Sequence, residues 1–125
     1  RLRSLGLQPV FVTGEAEETR GQLGRLPAGV ENWHMLPLPE LAGRLAGCMA
    51  FLGHDSGMAH LAAACGLPCL LLFGPTDPEI WAPPQAGVRV LRAPGGDLGG
   101  LAWQAVADEV DRWLQEMTAA GNSVL

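Results

Sequence analysis

Between Phe51 and Pro84 the chain reads FLGHDSGMAHLAAACGLPCLLLFGPTDPEIWAPP, and a few residue types there stand where a ligand site would need them. His54-Asp55-Ser56-Gly57 is a polar knot between an apolar run, Met49 to Leu52, and a helix-like segment, Met58 to Cys65. Asp55 and Ser56 suit the N-cap of that helix, and Gly57 has no Cβ to hold a ligand off the backbone. The first N–H groups of a helix lack an intrahelical partner, so this turn can cradle a diphosphate. A second polar cluster, Gly74-Pro75-Thr76-Asp77-Pro78, follows the apolar run Leu70 to Phe73. Strand, turn, helix, strand is the βαβ unit, whose ligands gather where strands end and helices begin.

Plainer roles compete at each position. Asp55 could serve only as a cap, worth about 1 kcal/mol. Ser56 could form an ST-turn, a role compatible with diphosphate binding. His60, one turn into the helix, is either a partner for leaving-group charge or a satisfied core histidine. Thr76 and Asp77 sit at a strand exit, where loops build sites, but Pro75, Asp77 and Pro78 make a rigid turn regardless. Contiguous His54, Asp55 and Ser56 cannot adopt a hydrolytic triad's relay geometry, and G-x-S-x-G is missing. His54 and His60 lack the i, i+4 spacing of helix metal pairs, so no metal is expected. Neither G-x-G-x-x-G nor a Walker loop occurs, which leaves NAD-dependent and P-loop NTPase chemistry without support.

The elements that position these residues alternate along the chain. Strands are predicted at Pro9 to Thr13, Asn32 to Leu36, Met49 to Leu52, Leu70 to Phe73 and Val88 to Leu91. Helices are predicted at Glu17 to Leu26, Leu38 to Cys48, Met58 to Cys65 and in the last segment, where Trp103, Val106, Val110, Trp113, Leu114 and Met117 recur at three- and four-residue steps. Pro75 to Pro84 reads as a Pro-rich loop, Gly95 to Gly100 as a flexible lead-in, and Gly121 to Leu125 as a frayed tail. Alternation of this kind implies an α/β fold: a Rossmann-like, doubly wound parallel sheet of about five strands with helices on both faces.

Two motifs carry a family likeness: Asp55-Ser56-Gly57-Met58-Ala59-His60-Leu61-Ala62-Ala63-Ala64, and Leu72-Phe73-Gly74-Pro75-Thr76-Asp77-Pro78 with Trp81 and Pro83 beyond. At this spacing they resemble the donor-binding half of the family 9 glycosyltransferases, which include the ADP-heptose:lipopolysaccharide heptosyltransferases. Weaker similarity runs from Gly14-Glu15-Ala16-Glu17 through Leu38-Pro39-Glu40-Leu41-Ala42 to the last helix. The resemblance implies that Asp55 contacts sugar hydroxyls, that the Ser56 and Gly57 amides meet the diphosphate beside Met58, and that His60 helps neutralise the leaving group. It also implies that Glu17 contacts the donor ribose, although Glu15 and Glu18 flank it and a first-turn acid is an equally ordinary reading. Leu36 and Leu38 could form the apolar wall for adenine, or be core leucines. His54 departs from the family's usual small or apolar residue and has no assigned role.

The same resemblance implies an additional first strand, a lysine on phosphate, and an acceptor-binding half with the general base. The 125 residues contain eight arginines and no lysine, so such a lysine would lie outside this chain. The expectation is one nucleotide-sugar-binding domain over residues 1–125, lacking its first strand and the other half of a GT-B architecture. With that strand absent, direct pairing of the strands near Val10 and Phe51, in the order 2-1-3-4-5, is expected over repair by another copy in a homo-oligomer.

Composition narrows the alternatives. With 48% apolar residues the chain can build one real core. A net charge of −5 with scattered arginines argues against nucleic acid, which favours a basic face. Cys48, Cys65 and Cys69 lack CxxC pairing and read as reduced core residues. No apolar run approaches the ~20 residues of a membrane span, and no signal peptide opens the chain. The expected location is cytoplasmic, or peripheral at the inner membrane.

The function implied is an inverting transfer of heptose from ADP-heptose, or another nucleoside-diphosphate sugar, to a lipopolysaccharide-core acceptor, without cofactor or metal. This chain would position the donor and stabilise the leaving group, and alone would not turn over. The alternatives are a noncatalytic nucleotide-binding or scaffold domain of the same fold and a nucleotide-sugar epimerase of the same architecture.

Overall fold

The computed structural model describes residues 6–13, 29–54, 57–97 and 100–119. The helix expected over Glu17 to Leu26, Glu17 itself, Asp55, Ser56 and the C-terminal tail lie outside these residues. The chain divides between Leu41 and Ala42 into two compact units, each with its own sheet.

In the first unit β1 (Val10–Thr13) pairs in parallel with β2 (Glu31–His34), from Val10 opposite Glu31 to Thr13 opposite His34. Sequence reading carries β2 on to Leu36, but it stops at His34 because Met35 takes φ 51°, a left-handed conformation that leaves the extended run. Helix α1 (Leu38–Ala46) begins in this unit, with Leu41 and Leu45 buried at helical spacing. It ends two residues short of Cys48, where Gly47 and Cys48 turn back onto the carbonyls of Arg44 and Leu45.

The second unit holds a three-stranded parallel sheet in the order β3 (Phe51–His54), β4 (Cys69–Phe73), β5 (Val88–Arg92). β3 starts later than the apolar run suggests because its first ladder bond is Phe51 N–H to the Pro68 carbonyl, 2.9 Å. β4 is the centre: Cys69, Leu70, Leu71 and Phe73 are fully buried, which explains its nearly unbroken apolar sequence. Helix α2 (Gly57–Ala64) buries a face of small residues, Ala59, Ala62 and Ala63. Gly66 at φ 83° ends it, with Leu67 N–H returning to the Ala62 carbonyl. Helix α4 (Trp103–Ala119) follows a short 3-10 turn, Pro94–Gly96. Its buried stripe is Ala107, Val110, Trp113, Leu114 and Met117. Trp103, read as part of that stripe, is 72% exposed because the apolar period outruns the contact by one turn.

The described residues form two separate sheets and not the single five-stranded order 2-1-3-4-5. Among the described residues β1 pairs only with β2, and β3 only with β4. The expectation assumed that an unpaired edge would bury its amides. Phe11 on β1 is 37% exposed and Leu52 on β3 is 41% exposed. The cysteines also depart from a uniform core reading. All three are free thiols, but only Cys69 is buried, while Cys48 and Cys65 are half-buried.

An ion-pair network clasps α4 to β5. Arg89 Nε lies 2.6 Å from Glu109 Oε1, Arg89 also pairs with Glu116, and Arg112 pairs with Glu109. The hydrogen bond from Arg112, aided by Arg89, holds the buried Glu109 carboxyl below the usual carboxylate range. A carboxyl with a lowered folded pKa stabilises the fold above its unfolded pKa, and that contribution is lost as pH falls through the lowered value. Glu109→Gln should therefore cost about 1–3 kcal/mol at neutral pH. Denaturation of both proteins across the acid range checks this, the difference between them shrinking as the pH drops.

Candidate functional site

Parallel pairing brings the two polar clusters to one end of the sheet. His54, the last residue of β3, is in register with Leu72, and β4 ends one residue later at Phe73. Gly57, three residues beyond His54, and the Gly74-Pro75-Thr76 loop therefore both follow the C-terminal ends of the strands, where a βαβ unit places its ligand. Gly57 is the first residue of α2 and is exposed, and a Cβ there would meet nothing within 4 Å. Open space thus faces the first turn of the helix. Met58, beside it, is half-buried.

The segment after β4 is more ordered than a Pro-rich loop. Asp77 is an N-cap whose Oδ1 accepts the Glu79 N–H at 3.0 Å, and Pro78 opens the short helix α3 (Pro78–Trp81). Asp followed by Pro at the first helical position is itself a helix-start signal. Pro75, Pro78, Pro83 and Pro84 masked it by their density. Asp77 therefore does cap a turn, and Thr76 beside it is half-buried.

His60 ties the two clusters together. Its Nε2 donates to the Trp81 carbonyl at 3.0 Å, across 21 positions of sequence, so the proton sits on Nε2. The ring is exposed, which excludes a core histidine. Nothing in the sequence pointed to this contact, because the acceptor is a backbone carbonyl on an element that had not been expected.

Leu36 and Leu38 belong to the first unit. Leu36 is half-buried, while Leu38 is 67% exposed and so is no core leucine. An open cavity of about 640 Å³ adjoins the β4 loop, lined by Pro75, Arg92, Ala93, Pro94, Gly95 and Gly96. Sequence reading missed it, taking the glycines as a flexible lead-in. Among the described residues no cluster of three or more His, Cys, Asp or Glu could hold a metal ion.

Residues 1–97 match glycosyltransferase family 9 (heptosyltransferase). The chain is 52% identical over 68 residues to lipopolysaccharide heptosyltransferase 1 of Pseudomonas aeruginosa, covering 52% of this chain and 19% of that protein. It is 35% identical over 97 residues to the Escherichia coli enzyme of the same name, covering 75% of this chain and 30% of that one. In structure it is similar to the E. coli heptosyltransferase WaaC with ADP, at a TM-score of 0.77 and 31% identity, over 90% of this chain and 36% of that one. It is also similar to E. coli ADP-heptose heptosyltransferase II, at a TM-score of 0.76 and 26% identity, over 94% of this chain and 39% of that one. The chain thus spans about a fifth to two fifths of the length of these four relatives. Its parallel α/β fold is the Rossmann-like fold of a GT-B half. By the residues matched and by fold, the chain belongs to glycosyltransferase family 9, the heptosyltransferases.

Proposed function

We propose that this chain forms the donor-binding part of an inverting glycosyltransferase that moves a heptose from ADP-heptose to a lipopolysaccharide-core acceptor. The observation that carries the reading is the exposed start of α2 at Gly57, at the C-terminal end of β3, in a chain of this family. Unpaired amides at such a helix start favour an anionic diphosphate. Structural relatives solved with ADP and with ADP-2-deoxy-2-fluoro heptose support the choice of donor.

In the reaction, a carboxylate outside this chain takes the proton of an acceptor hydroxyl. The oxygen attacks the anomeric carbon, the carbon–oxygen bond to phosphate breaks, and ADP leaves with the electron pair. The α2 amides, with Ser56 and Gly57, stabilise the charge on the departing diphosphate, and Asp55 orients the sugar through its hydroxyls. Met58, Thr76 and Asp77 line the donor side, and His60 holds the α3 turn beside α2. Glu17 on the ribose and Leu36 and Leu38 on the base rest on family resemblance. No described helix is long and apolar enough to cross a membrane. The reading places the reaction on the cytoplasmic side.

Calorimetry with ADP-, UDP- and GDP-sugars tests this on the chain and on a longer form carrying an acceptor-binding half. The expected result is selective ADP-sugar binding, weak for the chain and tighter for the longer form. Equal or absent binding of all three by the longer form would leave a scaffold role.

A further inference from the structure

Trp81 has no part in the donor reading so far, although its large apolar side chain is left 54% exposed. Its backbone is pinned on both sides: the N–H donates to the Asp77 carbonyl at 3.0 Å, and the carbonyl accepts from His60 Nε2 at 3.0 Å. The flanking residues fix it further. Asp77 caps α3, Pro78 opens it, and Pro83, two residues beyond Trp81, is buried. An exposed aromatic on so constrained a backbone loses little further freedom when a ligand stacks on it.

The His60 bond also sets where Trp81 stands. His60 is three residues, about 4.5 Å of helix rise, beyond Gly57. Helical side chains lean toward the N-terminus, so the imidazole draws the Trp81 backbone back toward the start of α2 and the open space at Gly57. Helix α3 itself follows the C-terminal end of β4, the strand paired with β3. Trp81 thus borders the seat proposed for the diphosphate. Charge separates the two places. Residues 74–84 include Asp77 and Glu79 and no basic residue, so this segment repels phosphate while the helix start attracts it. A neutral ring with hydroxyls suits the segment instead. Its polar edge can hydrogen-bond to carboxylates, while its apolar C–H face rests on the negative face of the indole.

We infer that Trp81 is the stacking platform for the sugar ring of the donor, a specificity-determining residue with His60 as its positioning residue. This rests on the donor reading above. Adenine, on the same donor, is the other ring an indole could take, and the test separates the two.

Calorimetry on the full protein uses ADP and ADP-heptose as probes. Trp81→Ala should weaken ADP-heptose binding roughly tenfold and leave ADP binding within about twofold, and Trp81→Phe, which keeps an aromatic face, should recover most of the loss. His60→Ala should lower ADP-heptose affinity in the wild-type background and cost little more when combined with Trp81→Ala. Full additivity of the two would overturn the positioning role. In isotope-labelled protein the Trp81 indole N–H resonance, assigned by its loss in Trp81→Phe, should shift with ADP-heptose and stay in place with ADP. Equal weakening of both probes by Trp81→Ala would put the indole on adenine and overturn the sugar assignment, and unchanged binding of both would overturn it as well. Either result leaves the donor reading standing, whereas a wild-type protein that binds neither probe would sink the donor reading and the platform with it.

Discussion

Gly57→Val is expected to abolish donor binding while leaving the fold intact. A Cβ at this position meets nothing within 4 Å, and Gly57 is not among the glycines with positive φ, so valine fits the folded chain without clash or backbone strain. Its two methyl groups would instead occupy the open space over the first turn of α2, where the proposal seats the diphosphate. Two hydrogen bonds from amides to charged phosphate, at about 1.5–3 kcal/mol each, would be lost. That loss corresponds to a weakening of roughly a hundredfold or more. Calorimetry with ADP, paired with a thermal melt, separates the two quantities. An unchanged ADP affinity would place the ligand elsewhere.

The second large effect is on stability. Phe73→Ala empties the C-terminal end of the central strand, where the ring is fully buried and lies next to the turn into Gly74 and Pro75. Cavity formation at an aromatic core position costs about 3–5 kcal/mol. Against a domain stability of ~5–15 kcal/mol this is a large share of the whole. The change also loosens the support for the site, because the Phe73 carbonyl accepts the Ala93 N–H at 2.7 Å and so joins the β4 and β5 exits. Ile80→Ala, at an exposed position, is the control and should shift the unfolding midpoint little. Denaturant midpoints for the two variants decide the matter, and a loss below about 1 kcal/mol for Phe73→Ala would contradict the burial argument.

Such effects follow from features legible to different degrees in the primary structure. The five strands and the two long helices could be read because apolar periodicity and turn residues act within a few positions of one another. The start of α2 at Gly57 and the exit of β4 at Phe73 came within a residue of their expected places for the same reason. Strand ends drifted by up to two residues where one backbone choice prevailed, as at Met35 with its left-handed φ. Helix α3 carried a readable signal in Asp77-Pro78, lost among neighbouring prolines that speak equally for a turn.

By itself the sequence determined the parallel α/β character, the family, and the placing of Gly57 and Thr76 at strand exits, all of which are local patterns or motifs. Tertiary structure alone decided which strands pair, that His60 reaches the Trp81 carbonyl, and that Glu109 is claimed by Arg89 and Arg112. These are contacts between residues far apart in sequence. Each depends on how the chain distributes a limited set of hydrogen-bonding and charged partners over the whole fold, and no window of neighbouring residues contains that information.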